Sequence, residues 1–156
     1  MRLIIHTVGL LLAIAALSYA VRVLHPDAAT LDAGLTRDDV QPGEIWVGDA
    51  YQLAGEPGGV IWVDIRPPEE FAKGSAPGAF NCWPRGGDPV GNTVFEIMSS
   101  DRFSPESTIV LFCASTQCGD SHQVKMEIDQ MGKLPVLVLA GGWQEYRRYA
   151  RRLGAE

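Results

Sequence analysis

Cys113 ends an apolar, β-prone run, Ile109-Val110-Leu111-Phe112, and opens a small polar loop, Ala114-Ser115-Thr116-Gln117-Cys118-Gly119. Beyond that loop Val124, Ile128 and Met131 recur at helical spacing, so the cysteine falls on a strand-to-helix turn. Successive backbone N–H groups in such a turn, aimed with the first turn of the helix, hold a thiolate, a persulfide or a bound anion without a charged side chain. That setting favours the reactive, ionised thiol. The alternative is ordinary: a cysteine at the end of an apolar strand is often a small core residue. Ser115, Thr116 and Ser121 could donate hydrogen bonds to a sulfur species there, although a turn needs small polar residues in any case.

The elements that must position this turn are legible in outline. Glu44 to Val47 is a short segment, Ala50 to Ala54 a turn of helix, and Val60 to Ile65 a strand. Pro67-Pro68 opens a helix, with Glu69 and Glu70 favourably placed at its N-terminal dipole. Ala79 to Trp83 reads as a short strand, Pro84 to Asn92 as glycine-rich loop, and Val94 to Met98 as helix. The chain closes with a strand, Val136 to Leu139, and a helix from Trp143 to Leu153. Strands alternating with helices predict an α/β fold, a parallel sheet covered on both faces, with ligand sites at the carboxyl ends of its strands.

In order and spacing, residues 44 to 153 resemble a single-domain rhodanese, a sulfurtransferase-type module. The family's Asp-x-Arg strand end is matched by Val63-Asp64-Ile65-Arg66, its short acidic helix by Pro68-Glu69-Glu70-Phe71, and its Gly-His-Ile-Pro-Gly-Ala-x-Asn segment by Gly74-Ser75-Ala76-Pro77-Gly78-Ala79-Phe80-Asn81. Cys113 matches the reactive cysteine, and Val136 to Trp143, followed by Tyr146, matches the closing strand, Gly-Gly turn and aromatic helix. The resemblance implies a catalytic Cys113, an active loop of Ala114, Ser115, Thr116, Gln117 and Gly119, and a supporting pair, Asp64 and Arg66, that orients this loop by charged hydrogen bonds. An ordinary surface ion pair is the other reading of Asp64 and Arg66. Trp143 and Tyr146 read as core or loop-packing aromatics.

Two departures stand out. Ser75 replaces the family's histidine, a change expected to affect packing of its loop. The cysteine loop holds no Arg or Lys, whereas many sulfurtransferases of the family carry basic residues there that favour an anionic donor such as thiosulfate; its last position is Cys118. The same lack argues against the phosphatase branch of the fold, which needs an arginine after a seven-residue loop.

At 156 residues the chain holds one domain plus an appendage. Residues 1–24 contain a nearly unbroken apolar stretch from Leu3 to Val21 behind Arg2, a hydrophobic helix long enough to serve as a transmembrane anchor. Ser18-Tyr19-Ala20 also offers a signal-peptide cleavage site; the thin positive region and the length of the stretch favour the anchor. Residues 25–43, with Pro26, Pro42 and scattered Asp, read as a tether, and residues 44–156 as the rhodanese-like domain. The protein is therefore expected to be membrane-anchored or secreted, with its domain extracytoplasmic, in the periplasm if the chain is bacterial. A net charge of −6 without a basic cluster argues against a nucleic-acid partner.

In an oxidising compartment Cys113 and Cys118 could close a disulfide and act as a redox couple, with Cys118 resolving a species held on Cys113 and Cys82 left over. No metal site or cofactor is expected; a second Cys-x-x-Cys and a close His pair are both lacking, and His122 reads as a helix-surface residue. The leading expectation is a membrane-tethered sulfurtransferase, thiosulfate sulfurtransferase-like, that takes sulfur from a small donor as a persulfide on Cys113 and passes it to a thiol acceptor. The alternatives are thiol–disulfide exchange through Cys113 and Cys118, and a non-catalytic rhodanese-type interaction module.

Overall fold

The computed structural model describes residues 34–87, 89–114, 119–132 and 134–154. The apolar stretch 3–21, read as an anchor or signal peptide, and residues 25–33 of the expected tether lie outside the described residues, as do Ser115, Thr116, Gln117 and Cys118. Among the described residues no helix is long and apolar enough to cross a membrane.

A compact unit begins at Leu35. In chain order it runs through a 3-10 turn at Arg37–Asp39, β1 (Glu44–Ile45), α1 (Val47–Ala54), β2 (Val60–Asp64), α2 (Pro68–Phe71), β3 (Phe80–Asn81), α3 (Val90–Ser99), β4 (Thr108–Phe112), α4 (Gly119–Met131), β5 (Val136–Leu139) and α5 (Gly142–Leu153). The five strands form one parallel sheet in the order β1-β5-β4-β2-β3. Every residue of β4 is buried, as befits a central parallel strand covered on both sides.

Side chains alternate across the sheet. Ile61, Val63, Ile109, Leu111 and Val136 form one core with Val90, Val94 and Ile97 of α3 and with Val124 and Ile128 of α4. Trp62, Val110, Phe112 and Leu139 form the other with Val47 and Ala50 of α1 and with Tyr146 and Ala150 of α5. The expected α/β architecture, with helices on both faces, is thus present.

Several boundaries differ, β3 being only Phe80–Asn81 where Ala79 to Trp83 is expected. α1 starts at Val47, three residues before the expected helical turn, and its first residue is fully buried. α3 starts at Val90, so the expected loop from Pro84 to Asn92 ends early, with Pro89 at the N-cap, where its fixed φ suits helix entry. On α4 the buried stripe is Ser121, Val124 and Ile128. Met131 is exposed because the helix stops there, turned by Gly132 at a φ of 75°.

Candidate functional site

Cys113 follows the last residue of β4 directly, at the carboxyl edge of the sheet, and is 4% exposed. Its side chain belongs to the core shared with α3 and α4, alongside Leu111 and Cys82. Its main chain is fixed from the other side: the Trp143 N–H, in the first turn of α5, donates to the Cys113 carbonyl at 2.7 Å. One residue earlier the Ile65 N–H donates to the Phe112 carbonyl at 2.9 Å, so β2, β4 and α5 converge on the cysteine. Ala114 is exposed, and Gly119 opens α4, with Asp120 and Ser121 in its first turn. The relation of Cys118 to Cys113 lies outside the described residues.

Asp64 and Arg66 are not a surface ion pair. Asp64 is fully buried and Arg66 is 5% exposed. The Arg66 Nε donates to both Asp64 oxygens at 2.9 and 3.1 Å, and Nη2 donates to Oδ2 at 2.6 Å. Nη2 also donates to the Gly74 carbonyl at 2.7 Å, and the Ser75 Oγ donates to Asp64 Oδ2 at 2.7 Å. Ser75, standing where the family carries histidine, is therefore a packing residue of that loop. The Asn81 amide completes the knot, donating to the carbonyls of Asp64 and Arg66 at 2.9 Å each.

Charged hydrogen bonds from this pair tie down the Gly74-Ser75 segment; residues 115–118 of the cysteine loop, which the resemblance implies the pair orients, lie outside the described residues. Among the described residues Arg66 also reaches toward the cysteine through Trp143: its guanidinium lies 4.6 Å from the Trp143 ring centre, and the Trp143 main chain donates to the Cys113 carbonyl. Trp143 and Tyr146 serve as packing aromatics, as expected. Their rings stack at 5.2 Å, and Trp143 also stacks on Phe112 at 5.7 Å.

A cleft of about 500 Å³ opens over Arg66 between α2 and α5, walled by Trp143 and Tyr146 with Glu70, Lys73 and Arg147 also on its lining. Cys113 does not line it. A second cleft, of about 330 Å³, is lined by Cys82, Asn81, Trp83, Thr93 and Glu96. Burial pushes the Cys82 thiol above its ordinary range, against the opposing pull of a hydrogen bond with Thr93, which disfavours the reactive thiolate.

Two features escaped sequence reasoning, the Arg85–Asp120 pair and Glu145, while Ser121, already singled out as a hydroxyl donor, is buried. Arg85 reaches Asp120 at 2.8 Å and sets a cation beside the helix that follows the cysteine loop. No local spacing announces that pair, because it spans 35 residues. Ser121, buried to 1%, has a hydroxyl with no hydrogen-bond partner among the described residues. Glu145, at 5% exposure, accepts from the Leu35 N–H at 3.1 Å and from Arg148 at 3.1 Å. The one available signal for Glu145 was its place on the buried stripe with Tyr146 and Ala150. His122, half exposed, sits 3.4 Å from Glu44, and no cluster suited to a metal occurs among the described residues.

A family model described as Rhodanese-like domain matches residues 47–149. No curated protein matches the chain. Among solved structures, a Bacillus halodurans protein superposes with a TM-score of 0.53 at 24% identity, over 68% of this chain and 72% of that one. A Rhodopseudomonas palustris protein of unknown function, described as a possible tyrosine phosphatase, aligns at 27% identity and a TM-score of 0.49, over 69% of this chain and 80% of its own. A rhodanese-like domain protein from Staphylococcus aureus aligns at 21% identity and a TM-score of 0.48, over 66% and 89% of the two chains.

Proposed function

The chain belongs to the rhodanese-like domain family, and from that membership we propose that it is a sulfurtransferase in which Cys113 carries sulfur as a persulfide. The Cys113 thiolate attacks the outer sulfur of a donor such as thiosulfate, the S–S bond of the donor breaks, and sulfite leaves with the electron pair. An acceptor thiolate then attacks the outer sulfur of the persulfide. The Cys113–sulfur bond breaks, the acceptor leaves as a persulfide, and the Cys113 thiolate is restored. This is covalent catalysis in two steps, without net oxidation of the protein.

The observation that carries this reading is the seat of Cys113, at the carboxyl end of the central parallel strand, before a helix N-terminus, with its main chain gripped by Trp143. That is where ligands sit in sheets of this kind. Attachment to a membrane through residues 3–21, with the domain on the extracytoplasmic side, belongs to the same proposal and rests on the sequence. So does a redox partnership of Cys113 with Cys118.

Intact-mass measurement of the full-length protein tests it. After incubation with thiosulfate or a polysulfide the chain gains one sulfur, removable by a thiol, and Cys113→Ser gains none while remaining folded. A second reading, a non-catalytic interaction module, draws on the burial of Cys113. It would stand if Cys113 takes up no sulfur and is alkylated no faster than the buried Cys82. Cys118→Ser separates the third: a simple sulfurtransferase tolerates it, whereas thiol–disulfide exchange stalls with substrate trapped on Cys113.

A further inference from the structure

Ser121 is 1% exposed, and its hydroxyl has no hydrogen-bond partner among the described residues. A serine in the first turn of a helix ordinarily spends its hydroxyl on water or on the main chain, and a buried hydroxyl left unmet is costly. An acceptor that comes within its reach recovers that cost.

The neighbours of Ser121 on α4 fix its direction. Asp120 reaches Arg85, in the loop after β3 at one edge of the sheet, and His122 reaches Glu44 of β1 at the other edge. Successive helical residues are turned by about 100°. Ser121, between those two, therefore faces the middle of the sheet, where β4 ends on Cys113. Its stripe continues through Val124 and Ile128 into the core that holds the Cys113 side chain, and Ser121 is the member of that stripe nearest the carboxyl edge. The bare sulfur of Cys113 does not accept from it. In a persulfide the outer sulfur stands about 2 Å beyond Sγ and carries the charge when ionised.

We propose that the Ser121 hydroxyl donates to the outer sulfur of the Cys113 persulfide. This role rests on the sulfurtransferase reading of Cys113. Loading the cysteine supplies the acceptor that the bare protein lacks, and a hydrogen bond to a charged sulfur favours the loaded form. Handing the sulfur to a thiol leaves the hydroxyl unmet again.

The test equilibrates full-length protein with glutathione persulfide and glutathione and reads the loaded fraction of Cys113 by mass. In that exchange the Cys113 thiolate takes the outer sulfur and glutathione leaves as its thiolate, so neither an oxidant nor a reductant is consumed. Ser121→Ala lowers the exchange constant about tenfold, the effect of one hydrogen bond to a charged acceptor. The urea midpoint of the bare variant is no lower than that of the wild type, because no satisfied group has been removed. Ser107→Ala is the control. Its buried hydroxyl, at the amino end of β4, donates to the Gly58 carbonyl at 2.7 Å, so this variant loses stability and keeps its exchange constant. A wild-type exchange constant in Ser121→Ala, an equal fall in Ser107→Ala, or a lower urea midpoint for bare Ser121→Ala overturns the proposal. If the wild-type protein takes up no sulfur, the sulfurtransferase reading falls and this role with it; uptake indifferent to Ser121 overturns this role alone.

Discussion

Asp64 and Arg66 show how far a pair of residues can be read before its surroundings are known. Their spacing marked them, but their burial depends on Gly74, Ser75 and Asn81, which reach them from a separate segment. Removing one partner of such a pair leaves the other charge buried. Arg66→Met is therefore expected to lower stability to urea by about 3–5 kcal/mol, and the double variant with Asp64→Leu by less than that. A double variant as unstable as the sum of its singles would contradict the assignment. Cys82 supports a prediction about pH. Burial raises its thiol, so its contribution to stability is full below the ordinary thiol value of 9.0 and is lost as pH rises through the higher folded value. Tyr146, raised by burial and by the neighbouring Tyr51, acts in the same direction at still higher pH. Urea midpoints should fall as pH rises above 9.0, and Cys82→Ala should fall less steeply; parallel curves would rule out the thiol as the cause.

Among the elements, the strands were the most legible. The short apolar, β-prone run Ile109 to Phe112, bounded by turn residues, reads as a two-sided strand, and β5 repeats the pattern in short form. Helix starts were harder to read, because α1 and α3 open without a side-chain cap and take their first residues from apolar positions that also suit loop packing. The Gly-Gly turn before α5 was visible as a pair of glycines, and its necessity is geometric. Gly141 has a φ of 77°, and a Cβ there would meet the Glu145 Cβ at 2.6 Å and the Leu35 Cδ1 at 2.8 Å. Forcing that conformation on alanine costs about 1–2 kcal/mol before any clash is counted. The same turn aims the Trp143 N–H at the Cys113 carbonyl. Gly141→Ala should therefore lower the urea midpoint and also slow sulfur uptake by Cys113 in the fraction that remains folded. A loss of stability with uptake unchanged would mean that the grip of Trp143 on Cys113 is structural alone.

At the scale of the whole molecule, composition and alternation gave the fold class, whereas the edge of the compact unit depended on contacts that no local pattern encodes. In sequence, residues 35–43 read with the tether, since prolines and scattered acids show no period. Leu35 nonetheless lies within the compact unit, where its N–H donates to the buried Glu145, 110 residues away, and its carbonyl accepts from the Trp46 indole at 2.8 Å. Arg37 lies 5.4 Å from the Trp46 ring and pairs with Asp49 of α1. A chain cut before Glu44 would leave the Trp46 indole without its acceptor and the Glu145 carboxylate short of a donor in a buried site. Each loss costs about 1–3 kcal/mol, so such a chain should unfold at distinctly lower urea than one cut before Leu35. Trp46→Phe in the shorter chain removes the orphaned donor and should recover part of the difference. Equal midpoints for the two truncations would place the edge of the folding unit at β1, and the contacts of Leu35 would then be incidental to stability.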